Sequence, residues 1–257
     1  MDTTPITNDT EPDRLVGADR VLAILAELAR HADGIGLEEM ARSVASNKAT
    51  VHRALASLRR AGFAAQDGRG RYVLGDEFLR LAFAHHEARP EHERIRPVLR
   101  ELARRYGETA HYAVLDGDTV VYRAKVDPPS GAVRLTSTVG GRNSAHSTAV
   151  GKLLLSYALP DDAAVAAWVG DRTLPRHTGH TLTSVQALAR DLRIIRGRGW
   201  AADDQENEPG VNCVAVPAFL GSPTVPAGAG SVSAPAYRTP LSRLVNEVAT
   251  IRGLVQP

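Results

Sequence analysis

The sequence predicts an α+β protein of two domains. The first would consist of helices with one small β-hairpin, and the second of an antiparallel sheet with flanking helices. Apolar residues recur at helical spacing over much of the first 106 residues. Beyond residue 107, strand-like runs come in pairs with helices between them, which is typical of an α+β domain. The 257 residues are enough for two domains that each bury a core.

Composition narrows the class of protein. With 43% hydrophobic and 23% charged residues, the chain is typical of a soluble globular protein. A single cysteine, Cys213, excludes an internal disulfide and a zinc site built from several cysteines, and it fits a reducing cytoplasm. Residues 1–14 are expected to be a disordered polar tail and not a signal peptide. No apolar run approaches the ~20 residues of a membrane span, so we expect a cytoplasmic protein without a membrane partner.

The predicted N-terminal domain, residues 15–75, begins with two helices. A helix over residues 18–31 follows from apolar residues at i, i+3, i+4 and i+7, namely Val21, Ile24, Leu25 and Leu28. Asp33 and Gly34 close it. A short second helix is expected over residues 37–43, and a turn of a few residues leads to the third.

The third predicted helix, residues 46–60, is basic on one side. Ser46 or Asn47 can cap its first turn. Its apolar face comprises Val51, Leu55 and Leu58, and a second face comprises Thr50, Arg53 and Ser57. Residues 42–71 contain seven Lys or Arg and one acidic residue, although the formal charge of the whole chain is only +2. This local excess of positive charge is typical of a nucleic-acid contact surface.

Two short strands around a Gly-rich turn are predicted over residues 63–74, with Arg69 and Arg71 at the turn. A single helix is more often structural, and a single Arg-Gly-Arg turn is usually solvated. The order of helix, helix, basic helix and basic hairpin is far more specific. It predicts a winged helix-turn-helix whose third helix enters the major groove of DNA.

A linker helix is expected over residues 76–91, where Pro90 interrupts it, and the second domain over residues 92–257. The first predicted elements of that domain are a helix over 93–106, a hairpin of strands 110–115 and 119–126, and a further strand over 133–137. Helices are predicted over 147–158, 161–169, 184–196 (ended by Gly197) and 241–251. Strands are predicted over 200–204, 211–219 and 228–234, with an irregular Pro/Gly-rich loop over 220–230.

Several motifs, in order along nearly the whole chain, resemble those of the IclR family of bacterial transcriptional regulators. In the first domain they lie at residues 19–25, 49–55, 62–63 and 71–75. In the second domain they lie at residues 107–115, 139–140, 146–155 and 210–217. The chain departs from the family in the helix-turn-helix turn, where it has Val-Ala-Ser-Asn over 44–47 and the family commonly has Gly-Leu-Pro.

The resemblance implies a winged helix-turn-helix, a linker helix and a C-terminal GAF-like domain that binds a small effector. It also implies a homodimer on a palindromic operator, or a dimer of dimers, and either repression or activation. The implied DNA contacts are Lys48, Thr50 and Arg53, to which the faces of the helix and the wing add Ser46, Ser57, Arg69 and Arg71. Arg53 can donate two hydrogen bonds to a guanine edge, while Lys48 suits a phosphate. The alternative is that Arg53 pairs with an acidic neighbour, and His52 is expected to be structural.

The effector site implied by the resemblance comprises Ala149, Val150, Asp203, Cys213, Ser231 and Ser233. N–H groups at a helix N-terminus favour a carboxylate, and hydroxyl groups add polar contacts. An acidic or hydroxylated metabolite is therefore the favoured ligand class. The alternative for Cys213 is a buried core residue.

The sequence gives less support to a metal site or to a catalytic triad. His85, His86 and His92 lack the spacing of metal ligands, and no metal or cofactor is expected. Cys213 with His146 and Asp203 could form the triad of a small-molecule hydrolase with a basic accessory domain, but no local nucleophile motif supports it. A non-enzymatic, effector-responsive DNA-binding regulator is the prediction, and the hydrolase is the alternative.

Overall fold

The computed structural model describes residues 17–87, 90–128 and 135–256, and the chain divides into two compact units after residue 88. The expected disordered tail lies outside the described residues. The first unit contains α1 (Gly17–Leu28), α2 (Leu37–Ser43), α3 (Lys48–Arg60), β1 (Ala64–Gln66), β2 (Tyr72–Leu74) and α4 (Asp76–Glu87).

The first unit has the predicted winged helix-turn-helix order. Its core unites α1, α2, α3 and the hairpin through buried side chains that include Ile24, Leu28, Met40, Val51 and Leu55. The hairpin is antiparallel, with Gln66 opposite Tyr72. Because the apolar face of α3 is buried in this core, its other faces remain on the surface.

The turn between α2 and α3 has a left-handed residue that is not glycine. Ala45 has φ of 46°, a conformation that costs roughly 1–2 kcal/mol in an L-residue. The Ser46 N–H donates to the carbonyl of Ala41, and Asn47 is the residue that caps α3, accepting from the Thr50 N–H at 2.8 Å. Of the two expected caps, Asn47 is therefore confirmed, and Ser46 is wrong because its backbone completes the turn.

The second unit consists of one sheet between two helical layers. Its helices are α5 (Pro90–Tyr106), α6 (Ala149–Ala158), α7 (Asp162–Val169), α8 (Val185–Arg198), α9 (Leu241–Asn246) and α10 (Val248–Val255). Its strands are β3 (Thr109–Asp116), β4 (Thr119–Val126), β5 (Arg142–Ser144), β6 (Ala201–Asp204), β7 (Val211–Ala218) and β8 (Gly228–Pro235). They form an antiparallel sheet in the order β5-β4-β3-β8-β7-β6.

Side chains alternate between the two faces of this sheet. Cys213 and Ala215 belong to the core beneath α6, α7 and α8, whereas Val214 and Val216 belong to the core beneath α5, α9 and α10. This alternation makes the α6 side the face on which polar strand residues can line a cavity. The α+β prediction is confirmed.

Gly151 allows α6 to approach the sheet edge closely. A Cβ at this position would lie 2.2 Å from the Ala145 carbonyl oxygen, so any side chain would push the helix away. The start of α6 is thereby fixed over the sheet.

Four expectations for the second unit need correction. Residues 135–137 are not in a strand, and the edge strand is β5; residues 133–134 of that prediction lie outside the described residues. Helix α8 continues through Gly197 and ends at Gly199, which has φ of 73° and donates its N–H to Ile195. The closing helix is divided at Glu247, whose N–H donates to Leu244 at 3.1 Å. Pro90 opens α5, where its missing N–H costs nothing.

The irregular loop is confirmed over residues 219–227, and β8 begins directly after it. Within the described ranges, no helix combines the length and apolar character needed to cross a membrane.

The cap assignment predicts the effect of removing it. Asn47→Ala should destabilise α3 by about 1 kcal/mol, because the Thr50 N–H loses its acceptor. Amide hydrogen exchange in α3 should then be about fivefold faster. Ser46→Ala is the control and should leave exchange nearly unchanged; an equal effect of both substitutions would contradict the assignment.

Candidate functional site

The second unit contains a cavity of about 340 Å³ between the sheet and the start of α6. All six residues proposed for the effector site line it, although they come from four separate elements: Ala149, Val150, Asp203, Cys213, Ser231 and Ser233.

Strand register explains why three of these residues meet. Asp203 on β6 lies opposite Cys213 on β7, and Cys213 lies opposite Ser233 on β8. A row across three strands therefore faces the cavity. From the other side, Thr148 caps α6 by accepting from the Gly151 N–H at 3.1 Å, so the first N–H groups of the helix are oriented toward the same space.

Several further residues line the cavity that were not predicted from the sequence. His111 on β3 and Tyr122 on β4 are buried and line the cavity, as do Asn143, Asn207 and the residues 135–138. The signal for His111 was available, because it stands at a strand position next to the buried Ala110 and Tyr112 but on the opposite face.

Hydrogen bonds connect the cavity floor into a chain. The Ser233 hydroxyl donates to Cys213 Sγ at 3.1 Å and lies 3.5 Å from His111 Nδ1, while His111 Nε2 lies 2.8 Å from the Ser137 hydroxyl. Burial, with a smaller contribution from the nearby charge of Lys125, lowers the pKa of His111 to about 3. The imidazole is therefore neutral and serves as a hydrogen-bond bridge.

Asp203 is a cavity residue whose charge changes near neutral pH. Burial raises its pKa to about 7, although its Oδ1 accepts the Glu206 N–H at 2.6 Å. Repulsion between Asp203 and an anionic ligand is thus reduced, because a large fraction of the carboxyl groups is protonated at pH 7.

Beneath Asp203 lies a buried ion cluster. Lys152 Nζ on α6 is 2.5 Å from Glu206 Oε1 and 2.8 Å from Asp191 Oδ2 on α8. Burial opposes the charge of Lys152, but the two carboxylates outweigh this and raise its pKa. The cluster therefore ties α6 to α8 and to the turn after Asp203.

The hydrolase alternative finds little support in this geometry. Burial raises the pKa of Cys213 to about 12, so its thiol is not ionised at neutral pH. His146 is not among the residues lining the cavity; its Nε2 lies 3.0 Å from the Pro175 carbonyl oxygen. The base and the nucleophile of the suggested triad are not brought together.

On the first unit, α3 presents an exposed polar surface. The Arg53 guanidinium donates to Thr50 Oγ1 at 3.3 Å, and Ser57 Oγ donates to the Arg53 carbonyl. In the described part of the chain Arg53 has no carboxylate partner, whereas Lys48 lies 3.2 Å from Glu38 with both side chains exposed. His52 is also exposed.

The wing places its two arginines differently. Arg69 is exposed at the turn, where Asp67 Oδ1 accepts the N–H groups of both arginines. The Arg71 guanidinium donates to the Gly34 carbonyl from Nε at 3.0 Å and from Nη2. Arg69 thus has the freer side chain for contact with DNA.

Metal binding has no visible basis among the described residues, where no group of three or more His, Cys, Asp or Glu is placed to hold an ion. The side chains of His85, His86 and His92 lie outside this description.

Comparison with known proteins agrees with both units. A model of the bacterial transcriptional regulator IclR C-terminal domain matches residues 90–256, and a model of the IclR helix-turn-helix domain matches residues 17–68. The HTH-type transcriptional regulator KdgR of Escherichia coli is 34% identical over 247 residues, covering 95% of this chain and 91% of KdgR.

Solved structures share the fold. The IclR structure of Thermotoga maritima has a TM-score of 0.76 at 24% identity, covering 92% of this chain and 94% of that chain. An IclR homologue from Microbacterium hydrocarbonoxydans, in complex with 4-hydroxybenzoate, has a TM-score of 0.73 at 22% identity, covering 92% and 99%.

The raised pKa of Asp203 predicts a pH-dependent stability of the second unit. In the unfolded chain this carboxyl ionises near its ordinary pKa of 3.8, but in the fold it keeps its proton up to about pH 7. Its contribution to stability is therefore fully present below pH 3.8, falls as pH rises toward about 7, and then levels off.

Urea unfolding can test this, since both tryptophans, Trp168 and Trp200, belong to the second unit and report on it alone. Asp203→Asn should show a smaller loss of unfolding free energy between pH 4 and 7 than the wild type, by a few kcal/mol. Parallel pH profiles would contradict a raised pKa.

Proposed function

The chain belongs to the IclR family of bacterial transcriptional regulators, and we propose that it binds an operator through α3 and the wing under the control of a small effector. The effector would occupy the cavity of the second unit. The observation on which this rests is the convergence of six residues from four elements on one cavity of about 340 Å³.

The proposed DNA interface consists of Ser46, Lys48, Thr50, Arg53 and Ser57 with Arg69 and Arg71. Arg53 is assigned base recognition, because its planar guanidinium is exposed and can donate two hydrogen bonds to guanine. Lys48 is assigned a phosphate contact, which positions the protein without specifying sequence.

A homodimer is proposed to align two such helices on a palindromic operator with half-sites about one helical turn, ~34 Å, apart. Helix α4 supports this proposal. Its apolar side chains are 40% to 59% exposed in the single chain, as expected of a surface that a second copy covers: Phe78, Leu79, Leu81 and Phe83. A dimer of dimers is the larger assembly that we propose as the alternative.

The cavity favours an effector with a carboxylate and a hydroxyl group. The N–H groups at the start of α6 suit the carboxylate, and Asp203 and Ser233 can bond the hydroxyl. The 4-hydroxybenzoate of the Microbacterium homologue carries both groups. Such a ligand would control transcription by binding one conformation of the domain more tightly and so shifting its population.

The first test concerns DNA. On a duplex selected by the wild-type protein from a random-sequence library, Arg53→Ala should lose ~1–3 kcal/mol of binding free energy, which corresponds to roughly 5- to 150-fold in affinity. A gel-shift titration at fixed salt measures this.

The matched control is Arg30→Ala, which removes the same charge from the turn after α1, where Arg30 pairs with Glu27 at 3.0 Å. It should leave the affinity nearly unchanged. Equal losses in both variants, or none in either, would contradict the assignment of Arg53.

The second test concerns the effector. Thermal-shift measurements would use 4-hydroxybenzoate, benzoate and simple 2-oxo and 2-hydroxy acids, because a ligand at 100 times its Kd adds ~2.7 kcal/mol of stability. For an acid that binds, affinity should fall by up to about tenfold per pH unit above pH 7, as Asp203 ionises and repels it.

In Asp203→Asn this fall should disappear, because the amide keeps the hydrogen-bonding shape without the charge. A fall of equal size in the variant would exclude Asp203 as its cause. The absence of stabilisation by every acid in the panel would count against an acidic effector.

A further inference from the structure

One wall of the cavity is built from irregular backbone. Residues 135–138, here called the wall segment, line the cavity, and none of them belongs to a strand. Backbone carbonyls outside regular structure still need donors when they lie near a protein interior. The groups that donate hydrogen bonds to these carbonyls therefore determine how stable the conformation of the wall segment is.

A single ammonium group supplies two of them. Lys125 Nζ on β4 donates to the carbonyls of Leu135 and Ser137, each at 2.8 Å. Its side chain is only 12% exposed, and Asp127 Oδ1 at 3.2 Å balances its charge. A lysine has three donors, and here two carbonyls and one carboxylate match them. Such an arrangement is unlike a solvated surface lysine.

Neighbouring side chains hold the same segment. His111 lies directly opposite Lys125 in the β3–β4 register, and both reach Ser137: Lys125 bonds its carbonyl and His111 its hydroxyl. Between the two carbonyls that Lys125 binds, the Thr136 hydroxyl donates to Glu208 Oε2 at 3.2 Å. The wall is thus attached to the sheet mainly by side chains.

We infer that Lys125 is a positioning residue for effector binding, which holds the wall segment in place and so keeps the cavity closed on that side. The inference rests on the proposed effector site. Without the ammonium, the carbonyls of Leu135 and Ser137 would turn to water and the wall would open more often.

The chain contains its own reporter of this opening. Cys213 is its single cysteine, it lines the cavity, and it is 7% exposed. Methyl methanethiosulfonate is small and uncharged, and it reacts when the thiolate attacks its sulfenyl sulfur, forming a mixed disulfide and releasing methanesulfinate. Its rate with Cys213 measures how often the cavity is open, without any effector present.

In Lys125→Met, modification of Cys213 should be about tenfold faster than in the wild type, the change expected from loss of one charge-assisted hydrogen bond. Lys125→Arg keeps a cationic donor and should restore most of the protection. Hydrogen exchange should rise over residues 135–141 and stay unchanged in β7 and β8.

The matched control is Arg94→Met, which removes a cation that donates to the Leu220 carbonyl, away from the cavity. It should leave the modification rate unchanged. An unchanged rate in Lys125→Met would overturn the inference. Faster exchange throughout the sheet would overturn it as well, because Lys125 would then support the core of the domain.

These measurements separate the inference from the proposed function. If no acid stabilises the protein, the effector proposal fails while the modification rates still report on Lys125. If an acid such as 4-hydroxybenzoate does bind, it should slow the modification of Cys213 and dissociate about tenfold faster from Lys125→Met.

Discussion

The buried ammonium of Lys152 is the interaction on which the cavity depends. It lies between Glu206 and Asp191, so one charge holds α6, α8 and the β6–β7 turn at fixed distances. Removing one partner of a buried ion pair costs about 3–5 kcal/mol, since an uncompensated charge remains. The first residue of α6 lies three residues before Lys152, and Asp203 lies three residues before Glu206. Its geometry therefore sets where the helix N–H groups and the carboxyl group face each other.

Around this fixed point the floor of the cavity carries little charge, while its lining also includes Arg142 and Glu208. His111 is neutral, the Cys213 thiol is protonated, and Asp203 is partly protonated at neutral pH. Over this floor a ligand meets oriented dipoles and hydroxyl groups. Such a site discriminates by hydrogen-bond geometry, because a ligand that lacks the matching group leaves buried polar atoms unpaired.

Helical periodicity was sufficient to predict α2, and periodicity with a capping residue was sufficient to predict α3, since both signals depend on neighbours within one turn. The cavity was different. Asp203, Cys213 and Ser233 are distant in sequence, and only strand register aligns them; the family resemblance, not spacing, pointed to them. The short polar strand β5 has no apolar alternation that would mark it. Gly197 and Gly199 are chemically identical signals, and only the structure shows that Gly199 takes the left-handed conformation that ends α8.

The two sides of the cavity differ in how they are held, and this bears on how a ligand could act. Strand ladders and the Lys152 cluster fix one side, whereas side-chain bonds from Lys125, His111 and Glu208 hold the wall segment. A ligand changes an equilibrium only by its difference in affinity between two arrangements, and moving it from 1:99 to 99:1 takes about 5.5 kcal/mol. Hydrogen bonds to charged groups contribute about 1.5–3 kcal/mol each, so a few bonds at the wall have the required size. Two arrangements of the domain would therefore differ mainly in the position of the wall segment. The rigid side of the cavity would hold the ligand in the same orientation in both.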